Sequence, residues 1–218
     1  VSDLYVEPTF YFTYYGFEWV KPLGEFGMYC IFGLMVISFL FQALGLFYRV
    51  ASIVSFTAFT YVELIDKTNY LNHYYFVSII CFLLIFVPAH RYFSLDVIRK
   101  PRLKKTHAPN WVVLIFKLQL LLVYFYAGLA KLNPDWLFEA MPLKIWLPAK
   151  SNTPLIGELL QKEWTAYAFS WFGAIYDLSI PFLLLISRTR NIAYFFVIVF
   201  HIMTWLLFQI GMFPFIMI

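Results

Sequence analysis

The chain has 218 residues; 62% are hydrophobic, 22% are aromatic and only 13% are charged, with a formal net charge of +4. A soluble globule carries about a quarter charged residues, so this composition excludes an ordinary soluble domain and points to a polytopic membrane protein. Its two cysteines, Cys30 and Cys81, lie inside apolar runs, which argues against a disulfide framework or a paired-cysteine zinc site.

Residues 1–25 are polar and aromatic, with Pro8, Gly16, Trp19, Pro22 and Gly24. They read as an interfacial segment, because Trp and Tyr favour the headgroup zone. Residues 26–218 then read as one transmembrane domain. Spans are predicted at about 26–47, 50–65, 72–89, 110–131, 164–186 and 191–209, the last ending at Gln209. Each is near the ~20 residues that a bilayer demands, and in lipid a helix is the only isolated option. The fold class is therefore all-α, a transmembrane helical bundle of about six spans. Tyr48-Arg49 reads as a very tight turn between the first two. Residues 132–163, with Pro134, Pro142, Pro148 and Pro154, read as an amphipathic re-entrant or interfacial segment between spans four and five. The chain starts at Val1 without a methionine and stops at Ile218 inside an apolar stretch, which reads as a piece of a longer protein lacking a C-terminal soluble domain.

Alternation of the spans sorts the loops into two sets. One holds Arg49, Arg91, Arg99, Lys100, Arg102, Lys104, Lys105, Arg188 and Arg190, with Asp96 its only acid. The other holds Lys21, Lys67, Lys131, Lys144, Lys150 and Lys162 among ten acids. Every arginine falls in the first set, which the positive-inside rule assigns to the cytoplasm. Span three then runs outward to inward and span four inward to outward. His73 and Lys131 come out on the same, non-cytoplasmic face; the opposite alternation would separate them by roughly 30 Å.

Lys131 ends an apolar run and precedes Asn133-Pro134, where the helix has to stop. An ionisable group there is a functional candidate. Burial beside hydrocarbon favours a neutral amine, and a neutral amine is a base; a snorkelling lysine is the alternative. His73 reads either as a second acid/base or as a helix-end histidine. Lys117 and Asp177 lie deep in spans four and five and read as a structural ion pair, since single buried charges are costly. Lys117 and Lys131 are fourteen residues apart, nearly four turns, which places both toward the bundle interior. His201, mid-span, is either a ligand group or a packed core histidine. His90 and His107 belong to the basic loop and are expected in solvent. No closely spaced histidine pair, phosphate loop or nucleophile elbow is present, so no metal site is expected. Met212, Phe213 and Met217 are apolar and adaptable, suited either to walling a ring-shaped ligand or to ordinary packing.

A set of short motifs carries a resemblance. Tyr48-Arg49, Asp66-Lys67-Thr68, Asn72-His73, Val123-Tyr124-Phe125 with Ala127-Gly128, Lys131-Leu132, Asp135-Trp136, Asp177-Leu178-Ser179, Phe200-His201 and Ile210-Gly211-Met212-Phe213 occur in this order. Together they resemble the vitamin K-dependent gamma-glutamyl carboxylase family, over its horizontally transferred transmembrane (HTTM) domain. The resemblance implies oxidation of vitamin K hydroquinone (reduced menaquinone or phylloquinone) by oxygen to the epoxide. The strong base so generated deprotonates a protein glutamate, and carbon dioxide adds. It implies that Lys131 deprotonates the hydroquinone and that His73 assists the carbanion or proton-transfer step. His201, Met212, Phe213 and Met217 are then expected at the quinone. The partners implied are a glutamate-containing protein or peptide and membrane lipid, without nucleic acid. The setting implied is a bacterial plasma membrane or endoplasmic reticulum membrane. Ala130 and Pro214 depart from the family pattern, which has a first lysine and a serine there. Two alternatives stand beside this reading: a quinol epoxidase or oxidase that does not carboxylate protein, and a non-enzymatic domain that binds lipid or a partner.

Overall fold

A computed structural model describes residues 1–208 and 210–218. Every regular element among them is helical, as expected. The long helices are α1 (Gly24–Leu44), α2 (Tyr48–Ile65), α3 (Asn72–Phe86), α4 (Asn110–Ala130), α5 (Glu163–Leu185) and α6 (Arg190–Leu207); a short α7 (Phe213–Met217) follows. Each predicted span is thus a helix, with ends close to the predicted bounds; Gln209 itself lies outside the described residues. Four helices, α1, α4, α5 and α6, are long and apolar enough to cross a membrane. Of the other two, α3 has 15 residues, and α2 has 18 but carries Arg49, Glu63 and a series of hydroxyls. The large apolar side chains of α1 and α4 are mostly exposed, the arrangement that lipid, not water, stabilises.

The chain forms two compact units, Val1–Val112 and Val113–Ile218. In the first, α2 turns small residues inward: Ala51, Ser52, Ser55 and Ala58 are buried. Their spacing follows the helical repeat, and small residues allow backbones in a membrane to approach closely. Gln42 of α1 donates to Ser52 Oγ at 3.2 Å and accepts from Ser55 Oγ at 3.0 Å. These bonds hold the α1–α2 hairpin where no hydrophobic force between helices exists. The turn between them is Gly45–Phe47 and not Tyr48-Arg49, which already forms the first turn of α2. Gly45 has φ +63° and a Cβ there would lie 2.4 Å from Ser94 Cβ, so only glycine fits. Tyr48 Oη and Arg49 Nη1 instead donate to Leu84 O and Ile85 O, two of the carbonyls that the end of α3 leaves unpaired.

Asp96 is the lone acid of the basic loops, and its carboxylate accepts from the Phe47 and Tyr48 backbone N–H groups at 3.0 Å each. It caps α2 from a distant loop. Arg99 bonds it at 3.2 Å and lies over the Phe47 ring. His90, expected in solvent, is half-buried and stacks on Tyr48 with ring centroids 4.9 Å apart. Burial holds its imidazole below the ordinary value. His107 is exposed as expected.

In the second unit the segment between α4 and α5 is a chain of short turns, Pro134–Leu137, Leu143–Trp146, Pro148–Lys150 and Gly157–Leu160. Ala140, Leu143, Leu147 and Leu160 form a buried cluster with Ala166 of α5 and Leu207 of α6. Lys144 fastens this segment to the start of α5 through Tyr167 Oη at 2.8 Å and Glu163 at 3.0 Å.

The cap predicts a pH dependence. Burial opposes ionisation of Asp96, but the N–H donors of Tyr48 and Phe47 outweigh it and hold its carboxyl below the ordinary range. A carboxylate with a lowered folded-state value stabilises the fold above the unfolded value of about 3.9, and this stability is lost as pH falls through the folded one. Asp96→Ala is expected to lower stability at neutral pH by about 1 kcal/mol, the usual worth of such a cap. It is also expected to flatten the acid limb of the melting-temperature profile of the purified protein.

Candidate functional site

The second unit encloses a cavity of about 560 Å³ between α4, α5, α6, the Leu143–Trp146 turn and α7. Its walls are almost wholly apolar and aromatic: Trp136, Trp146, Phe169, Phe172, Phe200 and Phe213 are among them. Three ionisable side chains reach it, Lys131, Asp177 and His201, together with Tyr124.

Lys131 comes to the cavity because α4 ends at Ala130. The Lys131 N–H bonds to Gly128 O, three residues back, so the backbone has already left α-helical geometry. Asn133 accepts from the Trp136 N–H at 2.9 Å, with Pro134 as the first residue of the next turn. Pro134 suits that position because it has no N–H to leave unsatisfied. Lys131 Nζ donates to Asp177 Oδ2 at 2.5 Å and to Ala127 O at 3.2 Å. It also lies 5.3 Å from the centre of the Trp136 ring. That indole is fixed in turn by its own N–H to Ser170 O at 2.9 Å and by Ser170 Oγ, which donates to Trp136 O. Asp177 is buried, with 4% of its surface exposed. Gly128 lets α5 come this close: a Cβ there would lie 2.7 Å from the Leu178 side chain and 3.1 Å from its backbone nitrogen.

The partner of Asp177 is therefore Lys131, and the pairing expected between Lys117 and Asp177 is not formed. Asp177 stands level with Lys131: its neighbour Leu178 packs on Gly128, which is eleven residues, roughly 16 Å, along α4 from Lys117. Among the described residues Lys117 has no ion-pair partner; it is exposed, not turned to the bundle interior as expected, and lines a different cavity. The lone neutral amine expected at position 131 is replaced by a hydrogen-bonded amine–carboxylate unit.

His201 lines the same cavity and is 2% exposed. Its Nε2 shares a 2.9 Å hydrogen bond with Tyr124 Oη. Its Nδ1 is buried with no hydrogen-bond partner among the described residues, an unusual condition for a polar atom. Phe213 and Met217, four residues apart on α7, both line the cavity, as residues on one helical face do. Met212 does not: it precedes α7 at the N-cap, is 70% exposed and is absent from the lining. His73 lies at the start of α3 in the first unit, half-buried, with its ring edge-on to Tyr74 at 4.6 Å. Sequence reasoning gave no role to Tyr124, Trp136 or Ser170. Tyr124 enters through its bond to His201, 77 residues away, a pairing that no local spacing signals.

The chain belongs to the HTTM domain family, which matches residues 1–218. This family is linked to vitamin K-dependent carboxylase-related membrane proteins. No solved structure matches the chain.

A buried pair stripped of one partner leaves an uncompensated charge and costs about 3–5 kcal/mol. Asp177→Leu alone is expected to destabilise the protein by an amount near the lower end of that range. Adding Lys131→Met is expected to restore most of the loss, whereas adding Lys117→Met is not. Thermal or denaturant unfolding of the wild type and the three variants in detergent checks this; rescue by Lys117→Met would reinstate the other pairing.

Proposed function

We propose that this HTTM-domain chain carries the catalytic site of a vitamin K-dependent gamma-glutamyl carboxylase, with the Lys131–Asp177 pair as its base. The observation that carries the reading is a hydrogen-bonded lysine–aspartate pair in the wall of an apolar cavity of about 560 Å³. Ligand cavities of this size, apolar with a few convergent polar groups, are the usual form of small-molecule sites. The buried and unpartnered Nδ1 of His201 is a further fit, because a ring oxygen supplies the hydrogen-bond partner that this atom lacks.

Vitamin K hydroquinone, when bound, supplies through its oxidation by oxygen the driving force for removing a proton from a glutamate γ-carbon. The chain's own residues would act as follows. Lys131 Nζ and Asp177 Oδ2 share one proton in the resting pair. On taking a second from a ligand hydroxyl, both are protonated and the pair becomes a net cation beside the ring, which stabilises the anion left there. Trp136 and Ser170 keep Nζ in position. His201 orients the ring, with Tyr124 fixing the imidazole. Phe213 and Met217 close the apolar wall and exclude water, which strengthens each of these interactions. His73, at the start of α3 in the first unit, is proposed to assist the carbanion or proton-transfer step, the role that the resemblance implies for it.

The test is turnover of purified protein with vitamin K hydroquinone, oxygen and labelled bicarbonate in the presence of a glutamate-containing peptide. Formation of epoxide together with fixed label is expected. Epoxide without label would limit the protein to quinol oxidation, and neither product from folded protein would overturn the enzymatic reading. Lys131→Ala is expected to lower epoxide formation by at least about 10²-fold, the usual contribution of a general base. His73→Ala is expected to reduce label fixation more than epoxide formation; equal losses would remove that division of labour.

A further inference from the structure

Lys117 presents a problem that the pairing of Asp177 with Lys131 creates. It lies seven residues into α4, among leucines, is exposed at the surface of the protein, and has no ion-pair partner among the described residues. A cation at that depth requires an anion or a route to water. The nearest features are those of a second cavity, about 370 Å³, which shares Tyr124 with the wall of the candidate active site. Lys117 lines it from α4, and Arg190 and Asn191 line it from the first turn of α6. No acid is among its lining residues. Its remaining wall is largely leucine, from Leu120 and Leu121 on α4 and Leu184 and Leu185 on α5.

Arg190 is already held in place. Its Nε donates to Leu184 O at 3.1 Å and its Nη2 to Leu185 O at 3.5 Å. These bonds cap the end of α5 and leave Nη1 without an acceptor among the described residues. Two cations from two helices, with the positive end of the 18-residue α6 beside them, thus converge on one apolar-walled cavity. Helix N-termini and paired Lys/Arg donors are the standard protein answer to a phosphate. Leucine walls suit the acyl chain that a free phosphate lacks. A basic pocket between transmembrane helices is also a known form of anionic-headgroup site.

We infer that the cavity bounded by Lys117, Arg190 and Asn191 binds the phosphate headgroup of an anionic phospholipid, whose negative charge is the counter-ion that Lys117 lacks within the protein. Arg190 belongs to the arginine-bearing loops assigned to the cytoplasm, so the lipid is drawn from that leaflet, where anionic lipid supplies the attraction. The inference is independent of the reaction proposed above, because none of Lys117, Arg190 and Asn191 lines the first cavity.

The experiment uses the full chain in mixed micelles with phosphatidylglycerol, with phosphatidylcholine, or with inorganic phosphate alone, read by melting temperature and by native mass spectrometry of retained lipid. Phosphatidylglycerol is expected to raise the melting temperature and to be retained, and phosphatidylcholine to do neither. Lys117→Gln is expected to weaken phosphatidylglycerol retention at least about tenfold, the loss of one charge-assisted hydrogen bond, while Lys117→Arg keeps it. A stabilisation by inorganic phosphate equal to that by phosphatidylglycerol would keep the anion site but overturn its assignment to lipid. Equal retention of both lipids by the wild type, or unchanged phosphatidylglycerol retention in folded Lys117→Gln, would overturn the site and leave Lys117 as a snorkelling side chain.

Discussion

A lysine and an aspartate held 2.5 Å apart in the wall of an apolar cavity set the terms for the second unit. Neither charge is tolerable alone at that depth, and together they are tolerable only in good geometry. Much of the local structure serves that geometry. Gly128 permits the close approach of α5, the Asn133-Pro134 cap turns the chain as soon as Lys131 has left the helix, and Trp136 is locked to Ser170 so that its ring covers the amine. The short turns that follow are fastened by buried leucines and by Lys144. Their irregular backbone is acceptable in a membrane protein because it packs against protein and borders a cavity.

The surroundings of the pair also set its chemistry. A lone amine in hydrocarbon would be a neutral base by desolvation alone. In the amine–carboxylate unit Nζ donates to Oδ2 instead, so neither group is left unpaired where the low dielectric of the cavity would penalise it. The His201–Tyr124 bond repeats the pattern on a different wall, with one imidazole nitrogen satisfied by the protein and the other left over. That leftover nitrogen is costly where the surrounding lining is apolar.

The helices were legible in the sequence because hydropathy and helix length act locally, and lipid removes competing structures. The basic loops were legible for a similar reason, since arginine placement is read one loop at a time. Pairings across the chain were not. Asp96 looked like a stray acid among arginines, but it caps a helix that starts 48 residues earlier. The tight turn was placed at Tyr48-Arg49, although the left-handed Gly45 three residues before carries it; glycine was the available signal. His90 was assigned to solvent by its neighbours and is stacked on Tyr48. At the site, Lys131, His201, Phe213 and Met217 were named from sequence and do line one cavity. Met212 was swept in with them by adjacency, which ignores that an N-cap side chain and the helix face behind it point differently.

The exchange of lysines at Asp177 shows where periodicity stops carrying information. Lys117 lies within α4 and obeys its repeat; Lys131 lies one residue beyond its last helical position. Depth in the spans alone offered the aspartate to Lys117, whereas the packing of Leu178 on Gly128 sets Asp177 beside Lys131. Once the carboxylate is committed to Lys131, the two cations of this stretch divide sharply. One has its anion inside the protein and faces a cavity rich in aromatic rings; the other has none and faces a cavity with a second cation and leucines. An amine that is to exchange protons needs a permanent partner, because its charge must change without exposing it to water. An amine that is to hold an anionic headgroup needs the reverse, since an internal carboxylate would compete with the phosphate. Tyr124, on α4, lines both cavities, so one phenol forms part of the wall of each.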